Sequence, residues 1–317
     1  MLRALACLLL CLPALASAQA VKFDRPIKLV VPFSPGGATD SAARLLANEL
    51  STALGTQVLV DNRPGANGAI AAEAVAKAVP DGTTLFAATN TPMAANPFLY
   101  KKLPYDGLAD FTPLARVALV PYVLIAAPDL KVGNFAELVK LAKSQPGKLS
   151  YATGAATGTV AGEALKHATG TDILQVPYKS NPPALTDVMS GRVSMMFTDI
   201  VSVIGQIQGG RVKALVTTTP KRAAMLPDVP AISELGIKGM EIYGWSGIYA
   251  PAKTPAPIVA RLSEELRKIQ ARPDIAQKIT AMGLEPAPGS GEELGAFHRA
   301  ELVKWEKLVK DAAIQPE

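Results

Sequence analysis

Residues 28–46 read Lys-Leu-Val-Val-Pro-Phe-Ser-Pro-Gly-Gly-Ala-Thr-Asp-Ser-Ala-Ala-Arg-Leu-Leu, and the class of fold follows from this stretch. Ile27 to Val31 is a short, apolar, β-branched run of the kind found in a buried strand, and Pro32 ends the ladder because it has no N–H to donate. Ser34 to Thr39 is then a turn. Gly36 and Gly37 place no Cβ where the backbone bends or approaches another molecule, and Thr39 or Asp40 is positioned to cap a helix running to about Leu54. The free N–H groups and positive dipole end of such a helix attract an anion, so strand, glycine turn and helix start form a candidate cradle for a carboxylate or phosphate. A tight turn with no ligand is the alternative, since α/β proteins contain many.

The same alternation runs outward along the chain. Gln57 to Val60 reads as a strand, Asp61 to Gly68 as turn chemistry, Ile70 to Val79 as a helix stopped by Pro80-Asp81-Gly82, and Thr84 to Ala88 as another strand. Thr89 and Asn90 follow it, at the strand's carboxyl end where open α/β sheets place ligands; capping is their other role. Leu114 to Ala127 holds two apolar β-like stretches with no helix between them, which predicts a crossing between two lobes. A helix is expected over Phe135 to Ser144 and a strand over Leu149 to Ala152. Thr153-Gly154-Ala155-Ala156-Thr157-Gly158-Thr159 then reads as a loop before a helix from Val160 to Thr169, repeating the opening pattern. This loop offers amides and hydroxyls without charge, which suits a carboxylate; a surface loop is the alternative. Further on come a helix over Ala184 to Ser190, a strand over Val193 to Phe197 running into Thr198-Asp199, a strand over Val212 to Thr217, and a return crossing over Ile242 to Tyr249. Helical patterns over Pro257 to Ala271, Asp274 to Met282 and Glu292 to Ile314 close the chain. Trp245 and Trp305 read as packing residues.

Arg3, the apolar run Leu5 to Leu12 and Ala16-Ser17-Ala18 match a secretory signal peptide over residues 1–18, so a periplasmic location is expected. Both cysteines, Cys7 and Cys11, fall in that segment, leaving about 300 residues without a thiol, enough for two domains. Formal charge falls from +5 to +4 when Arg3 leaves, with no basic run, which argues against a nucleic-acid partner. Only His167 and His298 are present, so no histidine- or thiolate-based metal site is expected. The chain lacks a Gly-x-Ser-x-Gly elbow, a Gly-Lys-Ser/Thr phosphate loop and a full Gly-x-Gly-x-x-Gly. No cofactor and no catalytic residue is assigned; Asp40 and Asp199 are the one carboxylate pair considered for acid–base chemistry.

Taken together, Val31-Pro32-Phe33-Ser34-Pro35-Gly36-Gly37-Ala38-Thr39-Asp40 with Ala43-Arg44, Asn62-Arg63-Pro64-Gly65-Ala66, Pro80-Asp81-Gly82, Val176-Pro177-Tyr178-Lys179, Leu226-Pro227-Asp228-Val229-Pro230, and Trp245, Gly247 and Ala250-Pro251 resemble the Bug family. These are TctC-like extracytoplasmic solute receptors of tripartite tricarboxylate transporters. The resemblance spans the mature chain. It implies an α/β, two-lobed, venus-flytrap fold, each lobe a mostly parallel sheet flanked by helices, with residues 19–120 and 245–317 in lobe 1 and 121–244 in lobe 2. It further implies a monomer that captures a small organic acid, whether a di- or tricarboxylate, an amino acid or an aromatic acid, for membrane transporter subunits or a sensor kinase ectodomain. An exported sensor or enzyme using the same cleft is the alternative. The expected ligand-binding residues are Phe33, Ser34, Pro35, Gly36, Gly37, Thr39, Asp40, Thr89, Asn90, Thr153, Gly154, Thr157, Gly158, Thr159, Tyr178 and Asp199. Departures from the family pattern fall at Thr83, Glu163, Ser180 and Asp199, the last standing where Asn is frequent. An ionised Asp199 in the cleft repels a carboxylate and favours a cation or donor; packing into a hydrogen-bonded hinge is the other reading.

Overall fold

The computed structural model describes residues 22–237 and 240–316, so the expected leader lies outside them. In chain order the elements are β1 (Ile27–Val31), α1 (Ala38–Leu54), β2 (Val58–Asn62), α2 (Ala69–Ala76), β3 (Thr84–Thr89), α3 (Asn96–Leu99) and β4 (Phe111–Val120). After Pro121 come β5 (Tyr122–Ala126), α4 (Phe135–Ser144), β6 (Ser150–Thr153), α5 (Ala156–Thr169), β7 (Leu174–Pro177), α6 (Asn181–Met189), β8 (Met195–Asp199), α7 (Ile200–Gln208) and β9 (Lys213–Thr217). The chain then returns through β10 (Gly244–Pro251), α8 (Ala256–Gln270), α9 (Pro273–Ala281), β11 (Glu285–Ser290) and α10 (Gly291–Asp311).

Two sheets result, ordered β11-β4-β10-β3-β1-β2 and β7-β6-β8-β5-β9, and helices flank both. β1 lies between β2 and β3, parallel to each, and four of its five residues are buried, as expected for a strand covered on both faces. The sheets are mixed rather than mostly parallel. β4 and β10 run antiparallel to their neighbours in the first sheet, and β5 pairs antiparallel with β8 and β9 in the second. The antiparallel pairs gather at the crossings: β4 and β5 are separated by Pro121 alone and lie in different sheets, and β10, on the return, pairs antiparallel with both β3 and β4. Pro113 sits inside β4 where the β10 register shifts and beyond the last β11 pair, so its missing N–H interrupts little.

Alternation along β5 assigns its two faces. Leu124 and Ala126 join an apolar core that extends through both lobes, whereas Val123 and Ile125 join a second cluster with Ala152, Met196 and Val203. Trp305 is fully buried on α10, as the sequence suggested, and its indole N–H donates to Glu301 at 3.1 Å. His298 on the same helix is buried too, and its Nε2 bonds the Met93 carbonyl at 2.8 Å.

Candidate functional site

Four strands deliver four helix starts to one place. α1, α5, α6 and α7 each follow the carboxyl end of a strand (β1, β6, β7 and β8), and residues at the start of all four line a common cavity of about 40 Å³. On the scale at which one water needs roughly 10–15 Å³, that is room for a few molecules. The walls come from both lobes: Phe33, Ser34, Gly37 to Asp40, Thr89 to Thr91, Val120, Gly244 and Trp245 on one side, and Tyr122, Gly154, Ala155, Asn181, Pro182 and Asp199 on the other.

The helix starts differ in what they leave free. In α1 the N-cap is Gly37, not Thr39 or Asp40, and the first helical bond runs from Ser41 N–H to Gly37 O at 3.0 Å, so the amides of Ala38, Thr39 and Asp40 precede the ladder. Asp40 instead folds back. Its carboxylate accepts from Gly36 N–H at 3.0 Å and from Asn62 Nδ2 at 3.0 Å, and it pairs with Arg44 at 3.0 Å. Burial alone raises its pKa, but the bonds from Arg44, Gly36 and Asn62 outweigh this and hold it below the usual carboxylate value. α5 begins at Ala156, four residues earlier than expected, because Ala155 is extended and already accepts from Gly158 and Thr159 N–H at 3.0 and 3.2 Å. Thr157, Gly158 and Thr159 are therefore first-turn residues rather than a loop. No side chain caps α5 and no acid lies in its first turn. In α6, Pro182 and Pro183 supply no N–H. The α7 start is capped by Asp199, which accepts from Ser202 N–H at 2.9 Å.

Side chains bridge the lobes around this cavity. Asn90 donates through Nδ2 to Thr157 Oγ1 at 2.6 Å and accepts Trp245 N–H at 3.2 Å, while Ser180 Oγ donates to Ser34 Oγ at 2.8 Å. Burial, aided by the Asp199 charge, pushes the Tyr122 hydroxyl pKa up, against hydrogen bonds from Thr157 and Asn181, so the phenol stays protonated. Thr89 Oγ1 and Trp245 Nε1 are buried on residues of the wall and have no hydrogen-bond partner among the described residues. Among the described residues no Lys, Arg or His lines the cavity, and no cluster suited to a metal ion is found.

Of the expected residues, Phe33, Ser34, Gly37, Thr39, Asp40, Thr89, Asn90, Gly154 and Asp199 line this cavity. Thr157 touches it through Asn90, and Gly158 packs on the Phe197 carbonyl. Pro35 and Gly36 are exposed outside it. Thr153, Thr159 and Tyr178 face a separate, open groove of about 930 Å³, and the Tyr178 hydroxyl is committed to Asp187 at 2.7 Å. The sequence reading did not single out Tyr122, Ala155, Asn181 and Pro182, and it took Trp245 for packing alone. Asn181-Pro182-Pro183 carried a usable signal, since Pro favours the first helical positions and marks α6 as starting three residues earlier.

Compared with known proteins, residues 42–314 match the family described as "Tripartite tricarboxylate transporter family receptor". The chain belongs to this receptor family. Among its relatives, the UPF0065 protein in the tcbD-tcbE intergenic region of Pseudomonas sp. (strain P51) is 38% identical over 302 residues, 93% of this chain and 89% of that one. The solved structure of R. palustris Rpa4515 with adipate superposes with a TM-score of 0.90 at 36% identity, covering 93% of this chain and 99% of that one. MatC from Rhodopseudomonas palustris with bound malate gives 0.84 at 31% identity, covering 90% and 98%. The tricarboxylate-receptor fold, two α/β lobes with mixed sheets, is thus the fold of this chain.

Proposed function

We propose that the protein is a periplasmic solute-binding receptor that closes its two lobes on a small organic carboxylate and presents it to the membrane subunits of a tripartite tricarboxylate-type transporter. The carrying observation is the convergence of uncapped α1 and α5 starts, from opposite lobes, on one cavity that has, among the described residues, no cationic side chain. Free amides and helix dipoles meet an anion there without a buried ion pair and its desolvation cost. Two solved relatives hold dicarboxylates, adipate and malate, which supports the same class of ligand here. By this reading the protein makes and breaks no bond. Its ligand shifts an open–closed equilibrium by binding the closed state better.

Calorimetry and thermal shift with mono-, di- and tricarboxylates test the reading. Saturable binding is expected, with the ligand recovered unchanged, and a ligand at 100 times its Kd adds about 2.7 kcal/mol of stability. Turnover of the ligand, or no stabilisation by any carboxylate, overturns it. Uptake assays in cells lacking the membrane subunits separate delivery to a transporter from sensing: a receptor for transport loses uptake, a sensor does not.

A further inference from the structure

The cavity is electrically lopsided. Two carboxylates lie in its wall, Asp40 and Asp199, both nearly inaccessible at 4% exposure, and among the described residues no cation lines it. Asp40 is matched by Arg44 at 3.0 Å. Asp199 has no such partner: its oxygens accept only neutral donors, Asn181 Nδ2 at 2.9 Å, Ser202 N–H at 2.9 Å and the Ser202 hydroxyl, which lies 2.8 and 2.9 Å from the two oxygens, and among the described residues no Lys, Arg or His lies within salt-bridge distance. The single hydroxyl proton is shared by both oxygens, so three donor protons meet about four acceptor sites, and none of the three carries charge. Capping α7 explains why a polar residue stands there but not why it is charged, because Asn caps a helix as well as Asp. In the same lobe the α5 start has neither cap nor acid, and it is the wall best suited to an anion.

From this polarity, and resting on the carboxylate reading above, we infer that the preferred ligand is a zwitterion: a carboxylate held at the α5 and α1 starts, with a protonated amine received by Asp199. The attraction is strong because both charges leave water, and a purely anionic ligand meets Asp199 as repulsion. Asp199 is thus the residue that sets specificity.

Three ligands differing at one atom test the inference: aspartate, malate and succinate, with NH3+, OH or H on the same carbon, repeated as glutamate, 2-hydroxyglutarate and glutarate, and as 2-aminoadipate, 2-hydroxyadipate and adipate. Calorimetry on wild type is expected to rank amine over hydroxyl over hydrogen, with at least a tenfold gap between the first and last of the series that binds. Asp199→Asn keeps the cap and is expected to weaken the amine ligand at least tenfold while leaving the unsubstituted diacid unchanged or tighter. An equal loss for all three is what a purely structural Asp199 gives, and it overturns the inference. So does a wild type that binds the plain diacid as well as the amino diacid, or an amine preference that survives Asp199→Asn; in these cases carboxylate binding itself still stands. If no carboxylate of any series binds, the carboxylate reading fails, and this inference fails with it.

Discussion

Gly36 and Gly37 are neighbours with separate requirements. Gly36 has φ +90°, in the left-handed region, and a Cβ there meets nothing within 4 Å, so its demand is on the backbone. Gly37 is ordinarily extended, and its Cβ would make ordinary contact, at 3.6 Å, with Ser202 Oγ in the opposite lobe, so a methyl fits there and only a larger side chain intrudes between the lobes. Gly36→Ala is expected to cost about 1–2 kcal/mol in chemical denaturation while sparing ligand affinity. Gly37→Trp is expected to keep its fold and lose ligand-induced thermal stabilisation, since an indole at that position props the lobes apart. Asp40 gives a pH signature. Its folded pKa lies below the unfolded value of 3.8, so its contribution is complete above that value and is lost as pH falls through the folded pKa. Asp40→Asn is expected to be less stable than wild type at pH 7 and to lose less of its stability between pH 5 and 3, as followed by urea midpoints. That Gly37, Asp40 and Gly154 stand at the ends of strands, where they line the cavity, was legible because glycine turns and short polar side chains carry local rules. Tyr122 and Trp245 were not, since an aromatic in an apolar run reads as core whichever way its strand is turned.

Among the elements, α5 shows most directly how stability and binding compete. Ala155 is extended at the N-cap and offers no acceptor to the amides it precedes. Ala155→Asp supplies one, worth about 0.5–2 kcal/mol to the helix. The expected outcome is a higher melting temperature without ligand and at least tenfold weaker carboxylate binding, because the new side chain occupies the donors and adds like charge. Strands and helices with strong periodicity were readable: the expectation for α4 over Phe135 to Ser144 coincides with the element, and β1, β3 and β5 lie within a residue or two of their apolar runs. The missed elements carried weaker patterns. β11 reads Glu-Pro-Ala-Pro-Gly-Ser and is a strand only because β4 holds both its ends across an irregularity between Pro286 and Gly289. β7 is an edge strand with mostly exposed residues, and α7 was hidden behind the capping Asp199, although Ile200, Val203, Ile204 and Ile207 repeat at helical spacing.

For the whole molecule, the two lobes and their crossings were legible because β4 and β5 follow one another with no intervening helix. The mixed pairing was less so, since partner choice depends on contacts distant in sequence. Closure has an optical reporter built in. The chain has two tryptophans, Trp245 on the cavity wall and Trp305 buried on α10. Ligand addition is expected to change intrinsic fluorescence; the change is lost in Trp245→Phe and kept in Trp305→Phe.

The cavity's place between the lobes has a kinetic consequence. A passenger walled in by residues of both halves escapes as they part. Dwell times for different cargoes should share an upper limit on escape rate, and any acceptor that empties the receptor quickly must do so by prying it apart rather than by waiting beside it.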